Sequence, residues 1–216
     1  MKKYAFFDLD GTLTDPGEGI TNSVKYALEK FGIEVKDKKE LYSFIGPPLY
    51  DSFVKYYGLS HEEANLAVSY YREYFAPYGL YQNAVYSGIP ELLETLKARG
   101  TKIVLATSKP EKFAIEILRH FDLEKYFDLA FGATMDEKRN KKDAVIAYAL
   151  SQGNIDPQDA VMIGDRVYDI EGGHKNGLVS VGVLWGYGDR AELEDAGADE
   201  IAESVSELEK ILLEKI

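Results

Sequence analysis

The sequence predicts an α/β fold, a doubly wound and mainly parallel sheet, with a small helical domain inserted after the first strand. Three observations carry this. Short apolar runs recur at residues 4–7, 102–106, 127–131, 160–163 and 179–183. Strands buried on both faces read in this continuous way rather than alternating. Between the later runs lie segments with apolar residues at helical spacing, and such alternation implies right-handed crossovers and a parallel sheet. Residues 16–84 break that rhythm, with helical stripes and little strand pattern. The expected division is an α/β domain of residues 1–15 and 85–216 and a helical domain of residues 16–84.

Tyr4-Ala5-Phe6-Phe7 is apolar throughout and makes the first strand. Ile20, Val24, Ala27, Leu28 and Phe31 form one helical stripe, closed by Gly32. A short helix is expected over residues 38–44, and Ile45-Gly46-Pro47-Pro48 breaks it. Leu49, Phe53, Tyr56 and Tyr57 carry the next stripe to Gly58. Ser60 then caps a helix, with Glu63 completing a capping box, and that helix runs through Ala64, Ala67, Val68, Tyr71 and Phe75 to Pro77-Tyr78-Gly79. Tyr50, Tyr56, Tyr57, Tyr70 and Tyr71 read as packing residues.

In the second half Pro90 suits a first helical turn, Leu92, Leu93 and Leu96 make the stripe, and Gly100 ends it. The run at 102–106 leads into Thr107-Ser108-Lys109-Pro110. A helix with Phe113, Ile117, Leu118 and Phe121 follows, then a strand at 127–131 ending at Gly132. Ala144, Val145, Tyr148 and Ala149 lie on a helix that Gly153 ends. The strand at 160–163 stops at Gly164-Asp165 before a helix over 168–176. A last long strand at 179–183 and a C-terminal helix with Val205, Leu208, Ile211 and Leu212 complete the chain.

Composition excludes several functions. A 216-residue chain with 45% hydrophobic residues can bury a sizeable core. A formal net charge of -12 argues against a nucleic-acid polymer as partner. It leaves small anionic substrates open, because a metal inverts the local field. The absence of cysteine excludes disulfides, thiolate catalysis and a cysteine zinc site. His61, His120 and His174 are scattered without metal-ligand spacing. No apolar run approaches the roughly 20 residues of a membrane span, so no membrane partner is expected. Asp8 and Asp10 come too early for a signal peptide, and a cytoplasmic location is expected.

The chemistry concentrates after the first strand, in Asp8-Leu9-Asp10-Gly11-Thr12-Leu13-Thr14-Asp15. Residues i and i+2 of an extended chain share a side, so both carboxylates leave the sheet together at its carboxyl edge, where open α/β sheets bind ligands. Two like charges this close call for a cation or a shared proton, and oxygen ligands suit Mg²⁺. A calcium loop is excluded, since the twelfth position counted from Asp8 is Gly19 rather than Glu. Further polar residues stand at later strand ends: Thr107 after the second, Lys141 and Lys142 at a helix start after the third, Asp165 and Asp169 after the fourth. Such a set suits phosphoryl transfer, which needs positioning and charge neutralisation. A carboxylate can take the phosphoryl group, and a second acid can move protons.

Asp8-Leu9-Asp10-Gly11-Thr12, Thr107, a lysine, and Gly164-Asp165-Arg166-Val167-Tyr168-Asp169 stand in the order of four motifs, and the chain resembles the haloacid dehalogenase-like (HAD) phosphohydrolases over nearly its whole length. The resemblance implies Asp8 as nucleophile and Asp10 as general acid and base. It implies Thr107, with Ser108 beside it, and Lys142 as phosphoryl binders. Mg²⁺ would be held by Asp8, the carbonyl of Asp10, and Asp165, with Asp169 as a further acidic partner. Lys142 rather than Lys141 is chosen because the run from Lys142 to Ile146 looks like the relatives that lack a proline after the motif lysine. Arg166 stands where many relatives have Ser or Thr, and is expected to point outward.

The helical insertion looks like the first type of cap in this family, that of phosphoglycolate phosphatase-like members. Gly46-Pro47-Pro48 would then be a cap loop that selects substrate, with hinges near Pro16-Gly17 and Tyr86-Ser87-Gly88. The expected function is a Mg²⁺-dependent phosphatase of small phosphorylated metabolites such as phosphoglycolate or a 5′-nucleotide, acting as a monomer or homodimer. A phosphosugar mutase can use the same aspartyl-phosphate and acid–base pair. A phospho-acceptor signalling module is a further alternative, disfavoured by the nucleophile following the first strand.

Overall fold

The computed structural model describes residues 2–136 and 138–215. Numbered along the chain, the strands are β1 (Tyr4–Phe7), β2 (Thr14–Asp15), β3 (Ala84–Val85), β4 (Lys102–Pro110), β5 (Leu129–Ala133), β6 (Ala160–Gly164), β7 (Val179–Val183) and β8 (Glu200–Ala202). The α-helices are α1 (Gly17–Glu29), α2 (Leu49–Tyr57), α3 (His61–Tyr74), α4 (Ile89–Ala98), α5 (Glu111–His120), α6 (Lys142–Gly153), α7 (Val167–Lys175), α8 (Arg190–Asp195) and α9 (Val205–Lys210). Six strands form one sheet in the order β5-β4-β1-β6-β7-β8, and each of its pairings is parallel. This is the doubly wound α/β fold that the alternation predicts.

Two compact units divide the chain, one holding residues up to Thr14 and from Val85 onward, the other Asp15–Ala84. In the first unit the sheet is the centre of the core. Phe6, Val104, Ala106 and Met162 are buried with Val145, Ile146 and Ala149 of α6 on one face. Their strand neighbours Ala5, Phe7, Ile103, Leu105, Val161 and Ile163 are buried as well and face the opposite way. Burying each large apolar side chain here contributes on the order of 2 kcal/mol, which is why these positions are apolar. The chain lays β4 and β5 on one side of β1 and returns to place β6, β7 and β8 on the other. The strand order thus reverses beside β1, and such a switch point opens a crevice at the carboxyl ends of the strands.

The second unit is helical, built on α1, α2, α3 and a 3₁₀ turn over Lys38–Phe44. Phe44 meets Phe53 edge-on at 5.0 Å between ring centres, with Tyr56 and Tyr57 on its other sides at 5.8 and 5.9 Å. Tyr71 stacks on Phe75 and Tyr50 on His61. Ser60 and Glu63 form the expected capping box at the start of α3. The chain passes between the units through β2 and β3, which pair as a ribbon.

The short helix expected over 38–44 is present and is 3₁₀. Other local expectations are corrected. β4 does not stop at Ala106 but continues to Pro110, with a shift of register against β5 between Ala106 and Pro110. The helix α6 includes Gly153, and the left-handed residue that ends it is Asn154. The short elements α8 and β8 follow the last long strand. Among the described residues no helix is long and apolar enough to cross a membrane.

Candidate active site

The site grows from the end of β1. The Asp8 N–H still donates to the Ile163 carbonyl at 3.0 Å, so this residue extends the ladder one step beyond the strand. The chain then turns. Gly11 takes φ 83°, a left-handed conformation that a side chain resists, and its N–H donates to the Thr14 carbonyl at 2.7 Å. A Cβ there would fall 2.2 Å from Asp165 Oδ2. This turn buries Asp8 and Asp10 beside the acidic residues that follow β6.

Asp8, Asp165 and Asp169 are all buried, and each offers an oxygen within 4.8 Å of the others. Lys142, the first residue of α6, reaches into them. Its Nζ lies 2.7 Å from Asp8 Oδ1 and 2.7 Å from Asp169 Oδ1, and donates to the Ala106 carbonyl at 3.1 Å. Asp165 is held by the Thr12 hydroxyl at 3.1 Å and the Tyr187 N–H at 2.8 Å. Asp169 sits in the first turn of α7 and accepts the Arg166 N–H at 3.0 Å, the carboxylate half of a capping box. Asp10 pairs with Lys109, Nζ to Oδ2 at 2.5 Å.

The electrostatics are those of a site with too much negative charge. Four buried carboxylates, Asp8, Asp10, Asp165 and Asp169, face two buried ammonium groups, Lys109 and Lys142. Burial pushes Asp165 well above the ordinary carboxylate range, and Asp169 and Asp8 push it further. Burial likewise moves Asp169 up to about 6, against the pull of Lys142. Burial raises Asp10, while Lys109 works the other way. Burial tends to lower Lys142, but Asp169 and Asp8 hold it raised. An unpaired buried charge is costly and is relieved by a proton or a cation. An all-oxygen donor set with an excess of two carboxylates fits a hard divalent cation. Asp8, Asp165 and Asp169 could hold a metal ion.

Of the residues singled out in the sequence, Asp8, Asp10, Lys142, Asp165 and Asp169 converge at the carboxyl edge of β1 and β6. Thr107 joins them from inside β4 rather than after it, buried, with its hydroxyl accepting the Lys109 N–H at 3.2 Å. Ser108 is half-buried next to it. Lys141 is the residue preceding α6 and makes no part of the buried cluster, so Lys142 is the lysine at the carboxylates. Gly46, Pro47 and Pro48 lie in the helical unit, between the 3₁₀ turn and α2. Arg166 does not point outward: its side chain is 16% exposed and its Nε lies 2.8 Å from Glu192 Oε1. That oxygen also accepts the Val167 N–H at 2.9 Å, so the pair fixes the start of α7.

Lys109, Thr12 and the loop Trp185-Gly186-Tyr187-Gly188 make site contacts that the sequence alone does not assign. Lys109 is two residues beyond Thr107, the spacing that shares a side of a strand. The Gly-Tyr-Gly after the last long strand was a signal of close backbone approach. A Cβ at position 186 would lie 2.4 Å from Asp165 Oδ2 and from the Gly11 carbonyl. The Trp185 indole donates to the Thr12 carbonyl at 3.0 Å and ties this loop to the turn after β1.

A parallel α/β sheet with buried carboxylates and lysines gathered at its switch point is a Rossmann-like fold with a charged site where such sheets bind ligands. Known proteins narrow this. The haloacid dehalogenase-like hydrolase pattern matches residues 5–183. A 5′-nucleotidase of Pseudomonas aeruginosa is 46% identical over 87% of this chain and 85% of its own. A tyrosine-protein kinase, PtkA, of Mycobacterium tuberculosis is 38% identical over 95% of this chain and 71% of its own. A crystal structure described as a predicted phosphatase from Clostridium acetobutylicum superimposes with a TM-score of 0.97 at 51% identity, covering 99% of both chains. The chain belongs to the haloacid dehalogenase-like hydrolase family. It is a phosphoric monoester hydrolase.

Proposed function

We propose that this chain is a Mg²⁺-dependent phosphatase that cleaves small phosphomonoesters through a phosphoryl group carried on Asp8. The observation that supports this most is the buried group of Asp8, Asp165 and Asp169 with Lys142 between two of them. Asp8 is the nucleophile in this reading. One of its oxygens bonds to phosphorus as the bond to the leaving oxygen breaks. Asp10 gives a proton to that oxygen, and then takes one from the water that releases phosphate. Thr107, Ser108 and Lys142 hold the non-bridging oxygens. Asp8, the Asp10 carbonyl, Asp165 and Asp169 would hold a Mg²⁺, whose charge would offset that of the substrate phosphate and Asp8.

Residues 16–84 act in this proposal as a cap domain, and residues 1–15 and 85–216 as the α/β domain. Gly46-Pro47-Pro48 is its substrate-selecting loop, with hinges near Pro16-Gly17 and Tyr86-Ser87-Gly88. Phosphoglycolate and 5′-nucleotides are the first substrates to test, the second favoured by the 46%-identical relative that is named a 5′-nucleotidase. A panel of phosphate esters assayed with Mg²⁺ tests the reading. Release of inorganic phosphate that EDTA stops and Mg²⁺ restores is the expected result. An isomerised sugar phosphate without phosphate release would favour the mutase instead, and a long-lived phosphoprotein without turnover a signalling module.

The glycine at 186 gives a second test. Gly186→Ala forces its Cβ against Asp165. Displacing a ligand-bearing side chain by an ångström or so lowers kcat by about 10²-fold, and here the loss comes with a higher Mg²⁺ requirement. Titration of activity with Mg²⁺ checks this; an unchanged Mg²⁺ curve would show that Asp165 is not placed by the loop.

A further inference from the structure

The ion pair between Lys109 and Asp10 has a feature that charge balance alone does not explain. Lys109 Nζ lies 2.5 Å from Asp10 Oδ2, with the two side chains 5% and 11% exposed. The other carboxylate oxygen, Oδ1, is buried and has no hydrogen-bond partner. A buried polar atom without a partner is rare and asks for a reason. Lys142 does not supply one, since its ammonium is taken up by Asp8, Asp169 and the Ala106 carbonyl. Lys109 thus pairs with Asp10, and Lys142 with Asp8 and Asp169.

Lys109 reaches Asp10 from the irregular end of β4. It stands two residues past Thr107, and its N–H donates to the Thr107 hydroxyl at 3.2 Å. Thr107 and Lys109 are thus joined by a hydrogen bond along the strand. A carboxylate with two free oxygens turns about its last torsion, whereas a charged contact on one oxygen fixes its plane.

We propose that Lys109 is a positioning residue: its ammonium holds Asp10 Oδ2 so that Oδ1 is the oxygen that exchanges protons during the reaction. This rests on the reading of Asp10 as general acid and base. In the first step an Asp8 oxygen bonds to phosphorus, the bond from phosphorus to the leaving oxygen breaks with its electron pair going to that oxygen, and the proton on Asp10 Oδ1 follows it. In the second step water bonds to phosphorus, one of its protons returns to Oδ1, and the bond from phosphorus to Asp8 breaks.

The test uses the Mg²⁺-loaded full chain and compares kcat/KM on two aryl phosphates. The leaving phenolate of p-nitrophenyl phosphate needs little protonation, whereas that of phenyl phosphate needs much more. With general-acid catalysis worth about 10²-fold or more, Lys109→Met lowers kcat/KM on phenyl phosphate by about 10²-fold, and by at least about tenfold less on p-nitrophenyl phosphate. Lys109→Gln, which keeps a donor for Oδ2, moves in the same direction by a smaller factor. A cooperative thermal transition checks that each variant folds. Equal losses on both substrates in both variants, or no loss on either, would overturn the proposal. Asp10→Asn separates the two levels. If it shows the steep leaving-group dependence and the Lys109 variants do not, only the positioning role falls. If it shows none, the role of Asp10 falls and the proposal with it.

Discussion

Asp8→Asn abolishes turnover of p-nitrophenyl phosphate in the presence of Mg²⁺ while leaving the fold intact. The substitution keeps the shape of the side chain, and the amide oxygen still accepts from the Lys142 ammonium that lies 2.7 Å from Asp8 Oδ1. What disappears is the proposed nucleophile, since a carboxamide does not attack phosphorus. Residues that act as a unit in covalent catalysis lose about 10⁴-fold or more when the nucleophile is removed, and a loss of that size is expected here. Stability should move little or rise, because one charge leaves a cluster in which four carboxylates outnumber two ammonium groups. Acid-quenched mass spectrometry adds a direct readout: the natural chain gains one phosphoryl group during turnover and the variant gains none. Retained turnover, or a phosphoryl group found on the variant, would remove Asp8 from the role.

Much of this site was legible because its parts are local. Asp8 and Asp10 are two apart, Asp165 follows a buried run directly, and Lys142 opens a helix, so strand ends alone brought them to one edge. The sheet was legible for a related reason: strands buried on both faces leave continuous apolar runs, as Phe6, Phe7, Val104, Leu105, Met162 and Ile163 show. Features that depend on distant partners were not. Lys109 and Asp10 are separated by 99 positions, and nothing in Thr107-Ser108-Lys109-Pro110 says which carboxylate the lysine meets. Arg166 looked like a solvent-facing departure because Glu192, its partner, belongs to the short helix α8. That helix and the three-residue edge strand β8 are too brief and too charged for a periodic signal. The loop at Gly186 carried its signal in glycine spacing, but its meaning depends on Asp165 being 2.4 Å from where a side chain would begin.

Lys142→Met tests whether one lysine serves both the phosphoryl group and the resting site. Its ammonium lies between Asp8 and Asp169, 2.7 Å from each, and the three side chains are almost fully buried. Methionine keeps the unbranched stem that packs against Gly172 of α7, where a Cβ would sit 3.0 Å from Lys142 Cγ, so packing changes little and charge changes most. Without the lysine, Asp8 and Asp169 face each other with no cation in the metal-free protein. Removing one partner of a buried ion pair costs about 3–5 kcal/mol, which for a chain of this size lowers the metal-free Tm by roughly 10 °C. The same change makes the acidic group more negative, so Mg²⁺ is held more tightly and raises Tm by more than in the natural chain. Activity moves the opposite way. In the proposed reaction the phosphoryl oxygens lose a fixed positive charge, and kcat is expected to fall by about 10²- to 10³-fold even at saturating Mg²⁺. Thermal melts with and without Mg²⁺, set beside kcat, separate the two roles. A metal-free Tm equal to that of the natural chain would mean that Lys142 does not balance the resting carboxylates, and an unchanged kcat would remove it from the phosphoryl group. A larger Mg²⁺-induced rise in Tm together with the loss of kcat is the outcome that the shared position of this ammonium requires.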